Sequence, residues 1–215
     1  MNAVDVLRVQ LRGACDLVAE HAGSVEPVWL ERASPATSLP GFIVWHCARI
    51  IDWGVNTCVR DEPEVAAESP WREKLRYEMG HGAGLTDVEA DEVAATVVPG
   101  DVVEYAHALR DGIDQWMADL VDADLERTID VRTANQAHAR YSTPAAWEEV
   151  KHLDGAQAWQ LLIRPAAVTS GCTWGSSRRW LDSSSPANAI PPDGSDHAAL
   201  EGPPFTIRPS SIRMT

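Results

Sequence analysis

Four stretches of this chain repeat their apolar residues at intervals of three and four, and that period limits the fold more than any other feature. Residues 3–21 bring Val4, Leu7, Leu11, Cys15 and Val18 to one helical face. Residues 41–59 do the same with Ile43, Cys47, Ile50, Gly54 and Cys58, and residues 101–121 with Val102, Ala106, Leu109, Ile113, Trp116 and Leu120. Residues 144–163 align Trp147, Val150, Leu153, Gln157 and Leu161 behind Pro144, a first-turn proline with Ser142 or Thr143 as the cap. Alternating β-branched runs are few. The expected fold class is therefore all-α: an antiparallel four-helix bundle with long connections and an irregular C-terminal tail. The connection from about residue 60 to 100 carries its own short helical signal, the capping box Thr86-x-x-Glu89.

Charge divides the chain in two. The 215 residues include 18 Lys and Arg against 32 Asp and Glu, a formal net charge of -14. From Pro165 onward the basic and acidic residues balance, so residues 1–164 hold the whole excess. The 165–215 segment also holds seven of the 14 prolines and the run Ser183-Ser184-Ser185-Pro186, and it reads as irregular or disordered. An acidic chain lacks the basic surface that phosphate contacts need, so the expected partners exclude nucleic acid and anionic membranes. No stretch approaches the ~20 apolar residues of a membrane span. The N-terminus has an early acid and no basic run, which gives a cytoplasmic expectation. Cys15, Cys47, Cys58 and Cys172 lack zinc spacing and read as reduced thiols.

Candidate chemistry falls on histidine. His46 stands inside the second helical period, one turn after Phe42 and Ile43 and one turn before Ile50. A helical imidazole at the core needs a hydrogen bond or a metal. Glu148 and His152 are four apart in the fourth period and would share a helical face that could chelate one divalent ion, or form a solvated pair. His107 falls beside the apolar stripe of its helix. His21, His81, His138 and His197 sit at expected ends or loops and read as solvated. Arg49 and Asp52 read as an i, i+3 pair on the helix surface. Trp45 and Trp53 read as core or rim packing, and Trp174 and Trp180 as residues that could dock the tail.

The run Pro40-Gly41-Phe42-Ile43-Val44-Trp45-His46-Cys47-Ala48-Arg49-Ile50-Ile51-Asp52-Trp53 resembles the second-helix signature of the DinB-like four-helix bundles, with Trp-His-x-x-Arg at its centre and an acid three residues after the Arg. Gly82-Ala83-Gly84-Leu85-Thr86 and the acidic helix after it resemble that family's second connection. Tyr105 with Leu120-Val121-Asp122-Ala123-Asp124-Leu125 resembles its third helix and the following turn. The similarity spans about residues 1–152. It implies a bundle that holds a divalent metal, zinc or nickel, through one His of the second helix and a His-x-x-x-His pair of the fourth. It further implies a thiol-dependent transferase or isomerase in which the metal lowers the pKa of a low-molecular-weight thiol for attack on an electrophilic substrate. A homodimer is compatible with such a bundle.

His46 matches the first ligand position. The fourth period departs from the pattern, because Ala156 and Gln160 follow His152 where a second His is due. Two registers stay open. With the pair at 156 and 160, both ligands are missing; with the pair at 148 and 152, a His46–His152–Glu148 site remains. The departure coincides with the change in composition, which admits a frameshift near Gly155 or a lineage-specific tail. The alternative function is a degenerate, non-catalytic bundle that acts as an interaction or regulatory protein.

Overall fold

The computed structural model describes residues 2–168, with side chains through Arg164. The expected irregular tail, with Cys172, Trp174, Trp180 and His197, lies outside the described residues. Within them the fold is all-α, with helices joined by short 3₁₀ turns and one isolated bridge, Thr128 to Gln157. Eight helices follow in order: α1 (Ala3–Ser24), α2 (Pro40–Asp52), α3 (Trp71–Lys74), α4 (Asp87–Thr96), α5 (Pro99–Met117), α6 (Val131–Ala134), α7 (Pro144–Val150) and α8 (Ala158–Val168). A π-helical stretch, Trp53–Arg60, continues α2 without a break.

The first three apolar periods form the expected helices. In α1 the whole stripe Val4, Leu7, Leu11, Cys15 and Val18 is buried, and a capping box between Asn2 and Asp5 satisfies its first orphan amides. In α5 Val102, Tyr105, Ala106, Leu109, Ile113 and Met117 are buried, while His107 faces solvent. Thr86 and Glu89 cap α4 reciprocally. The core forms where α1 lies along α5, with α2, its π-helical continuation and α8 packed against them. Trp45 fills the middle of this core, and its indole N–H is satisfied by the Leu75 carbonyl at 2.8 Å.

The fourth period is not one helix. α7 ends at Val150, a 3₁₀ turn covers Lys151–Leu153, and Gly155 turns the chain at φ +77°. Backbone pairing explains the break. The Gly155 amide donates to the Ile129 carbonyl, Ile129 donates to Ala156, and Ala158 donates to Arg127. The chain leaves the helix to pair with residues 127–129 and re-enters one at Ala158. The i, i+3/i+4 spacing of apolar residues survives in each half, which is why the sequence reads as continuous. Ala158, Leu161 and Leu162 of α8 are buried in the common core, and the helix runs four residues past the compositional boundary at 164.

Candidate functional site

His46 emerges from α2 half-buried, stacked on Phe42 with ring centroids 5.8 Å apart. The loop Gly80–Gly84 crosses over it. His46 Nδ1 bonds the backbone carbonyl of His81 at 2.5 Å. A carbonyl only accepts, so Nδ1 carries the proton and Nε2 keeps a lone pair. Burial pushes the His46 imidazole below its usual pKa; the bond to His81 and the charge of Glu149 oppose that. The residue is therefore a neutral donor ligand or base whose tautomer the backbone sets.

Glycine makes this approach possible. Gly82 has φ +106°, and a Cβ there would stand 2.7 Å from His46 Nδ1. Gly84, at φ +69°, lies against the start of α7, where a Cβ would stand 2.6 Å from the Ala146 amide nitrogen. The Gly84 amide donates to Glu149 Oε1 at 2.8 Å. The loop thus ties α2 to α7.

Beneath the loop lies a buried charge network. Arg49 is 0% exposed; it is not a surface residue, although its pairing with Asp52 at 3.3 Å is as expected. Its guanidinium also meets Glu64 at 2.7 Å, the Gly80 carbonyl at 3.2 Å and the Tyr105 hydroxyl at 3.1 Å. Tyr105 donates to Asp52, and Tyr141 donates to Glu64 at 2.5 Å. Asp52 further accepts from Asn56 and from the Val65 and Ala66 amides. Burial alone would loosen the Arg49 proton, but Glu64, the two tyrosines and Asp52 reverse this and keep the group charged. Burial and neighbouring Glu64 push the Asp52 carboxyl above its usual range, against the pull of Arg49. Arg49 thereby anchors the loop that orients His46.

His81 corrects the expectation of a solvated loop histidine. It is 2% exposed and lies between Trp53, at 4.6 Å between ring centroids, and Tyr141, at 4.8 Å. Both ring nitrogens lack a hydrogen-bond partner among the described residues. Burial, with the neighbouring His46 imidazole and the Arg49 charge, drives its pKa well below the usual value. His21 is likewise buried and His138 half-buried. The signal for His81 in the sequence is its setting, Gly80-His81-Gly82, where two glycines let the chain turn inward. Nothing in the sequence marks Glu64 as the partner of Arg49.

The other two proposed ligands stand elsewhere. Glu148, exposed on α7, pairs with Lys151 at 2.5 Å. His152 is exposed in the 3₁₀ turn after the helix, so the two do not share a continuous helical face. Among the described residues, no group of three or more His, Cys, Asp or Glu side chains is arranged to hold a metal ion. The implied metal therefore does not fit the residues that surround His46 here. No family model matches the chain, and no curated protein matches it.

Proposed function

We propose that this chain is a DinB-like four-helix bundle, built from α1, α2 with its π-helical continuation, α5 and α8, that derives from divalent-metal, thiol-dependent transferases or isomerases. The observation that carries the reading is His46, a buried-side imidazole whose Nδ1 proton is taken by a backbone carbonyl and whose Nε2 is left for a ligand. The chain keeps this first ligand, no closed set stands around it among the described residues, and we read its present role as that of a binding or regulatory bundle.

The genetic code offers one place for a His pair in another reading frame. Burial of Ala158, Leu161 and Leu162 in the common core supports a native tail as far as Leu162, so under the frameshift reading we put the change of frame after that residue. Thr169 and Thr173 both have codons that begin AC. In the frame set one base back, each AC is preceded by the last base of the Val168 or Cys172 codon. A cytosine there spells histidine. Cysteine codons end only in T or C, so the second position is His or Tyr. The two codons stand four apart, the spacing of a His-x-x-x-His pair.

The test is elemental analysis of three purified proteins: the chain as written, its His46→Ala variant, and the chain read from Val168 in the frame one base back. The expected result is substoichiometric metal in the first two and about one zinc or nickel per chain in the third, lost on His46→Ala. Tight metal in the chain as written, lost on His46→Ala, would restore the catalytic reading for this chain. A stop codon or no histidine in the alternative frame removes the frameshift.

A further inference from the structure

A candidate second site lies on the far side of the ring stack, and its lining is cationic. Between the turn at Tyr77–Met79 and the segment 137–143 is an open surface depression of about 660 Å³. The ring contacts run from it to His46: Tyr77 to His138 at 4.7 Å, His138 to Tyr141 at 4.6 Å, Tyr141 to His81, and His81 to His46 at 6.3 Å.

The charges of this hollow oppose those of the molecule. Arg72 lies over the Tyr77 ring at 4.9 Å, and its guanidinium donates to the Ala67 carbonyl at 3.3 Å. No carboxylate among the described residues pairs with it. Arg140 gives Nη2 to Glu89 at 2.6 Å, and its buried Nε has no partner. The one acid of the lining, Glu78, is held by Arg76 at 2.5 Å. His138 is committed: its Nε2–H donates to the Tyr77 carbonyl and its Nδ1 accepts from the Arg140 amide, so it is neutral. Two guanidinium groups, Arg72 without a carboxylate partner among the described residues and Arg140 held by Glu89, thus line a depression walled by Tyr77, Ala137 and Ala139, in a chain of net charge -14. Planar guanidinium forks match carboxylate oxygens and stack on flat rings.

We propose that this hollow binds a small aromatic carboxylate, its carboxylate between Arg72 and Arg140 and its ring against the wall formed by Ala137 and Ala139. The site is independent of any metal at His46. The test is titration of the full chain with benzoate and, separately, with its neutral counterpart benzamide, followed by backbone amide shifts. Benzoate is expected to shift the amides of residues 72–78 and 137–141 saturably, and benzamide to bind at least about tenfold more weakly. Arg72→Gln, an exposed change, is expected to weaken benzoate about tenfold, while Arg8→Gln on α1 leaves it unchanged. Arg140→Gln, checked for folding by its melting curve because it loses Glu89, gives a second reading. Absence of saturable shifts, equal binding of benzamide, or unchanged affinity in both the Arg72 and Arg140 variants overturns the proposal.

Discussion

Truncating Arg49 would leave Asp52 and Glu64 buried without their cation. A buried carboxylate that loses its partner keeps the desolvation cost and loses the attraction, and one-sided removal costs about 3–5 kcal/mol. Arg49→Ala is therefore expected to lower unfolding free energy by about that amount in urea titration. Arg49→Lys should rescue only part, because an ammonium cannot reach Glu64, Asp52 and Gly80 together as the guanidinium fork does. Gly82→Ala tests the loop. It imposes a φ that alanine avoids and a methyl in contact with His46 Nδ1, and should cost about 1–3 kcal/mol. The His46 imidazole should then lose its protected Nδ1–H in proton NMR. His138 sets a pH dependence. Burial lowers its pKa, the bond to Tyr77 opposes this, and Arg49 and Arg72 add to it. A base with a lowered folded pKa binds its proton less readily folded than unfolded. Its contribution is therefore full above the unfolded value of about 6.5 and is lost as pH falls through the folded value. Urea titrations between about pH 7.5 and about pH 5 should show this acid-side loss, and His138→Gln should reduce it, the buried His46 and His81 supplying the rest.

At the scale of elements, α8 is the piece whose placement most affects the reading. Leu161→Ala or Leu162→Ala should each cost about 2–5 kcal/mol, since both side chains are buried among α1, α2 and the π-helical stretch. A cost below ~1 kcal/mol at both would mean that α8 does not belong to the core. The helices α1, α5 and the α2 segment are legible in the sequence because each is a single amphipathic period. Spacing joins α7 to α8 because it sees side chains and not the amide bonds among Arg127, Ile129, Gly155, Ala156 and Ala158 that interrupt them. His46 is legible from its signature. Arg49 reads as a surface residue because a local i, i+3 acid explains an arginine fully, whereas the groups that bury it come from distant segments. His81 was hidden similarly: a loop position predicts water, and only the fold shows that Trp53 and Tyr141 enclose it.

For the whole molecule, the acidic excess governs behaviour in solution. With a sequence pI of about 4.8, solubility should pass through a minimum near that pH and recover on either side. The surface pairs that join α1 to α5, Arg8 and Arg12 with Asp114 and Arg110 with Asp16, are partly exposed and add little. Cohesion comes from the core, and the site rests on it. The partners of Arg49 also have a consequence in time. Asp52 is three residues away, but Tyr105 is 56 and Tyr141 is 92 residues downstream. A chain leaving the ribosome presents the cation long before its last partner has been made. The tether over His46 thus closes late in synthesis, and slowing translation before Tyr141 should prolong the interval in which that helix is open to proteases.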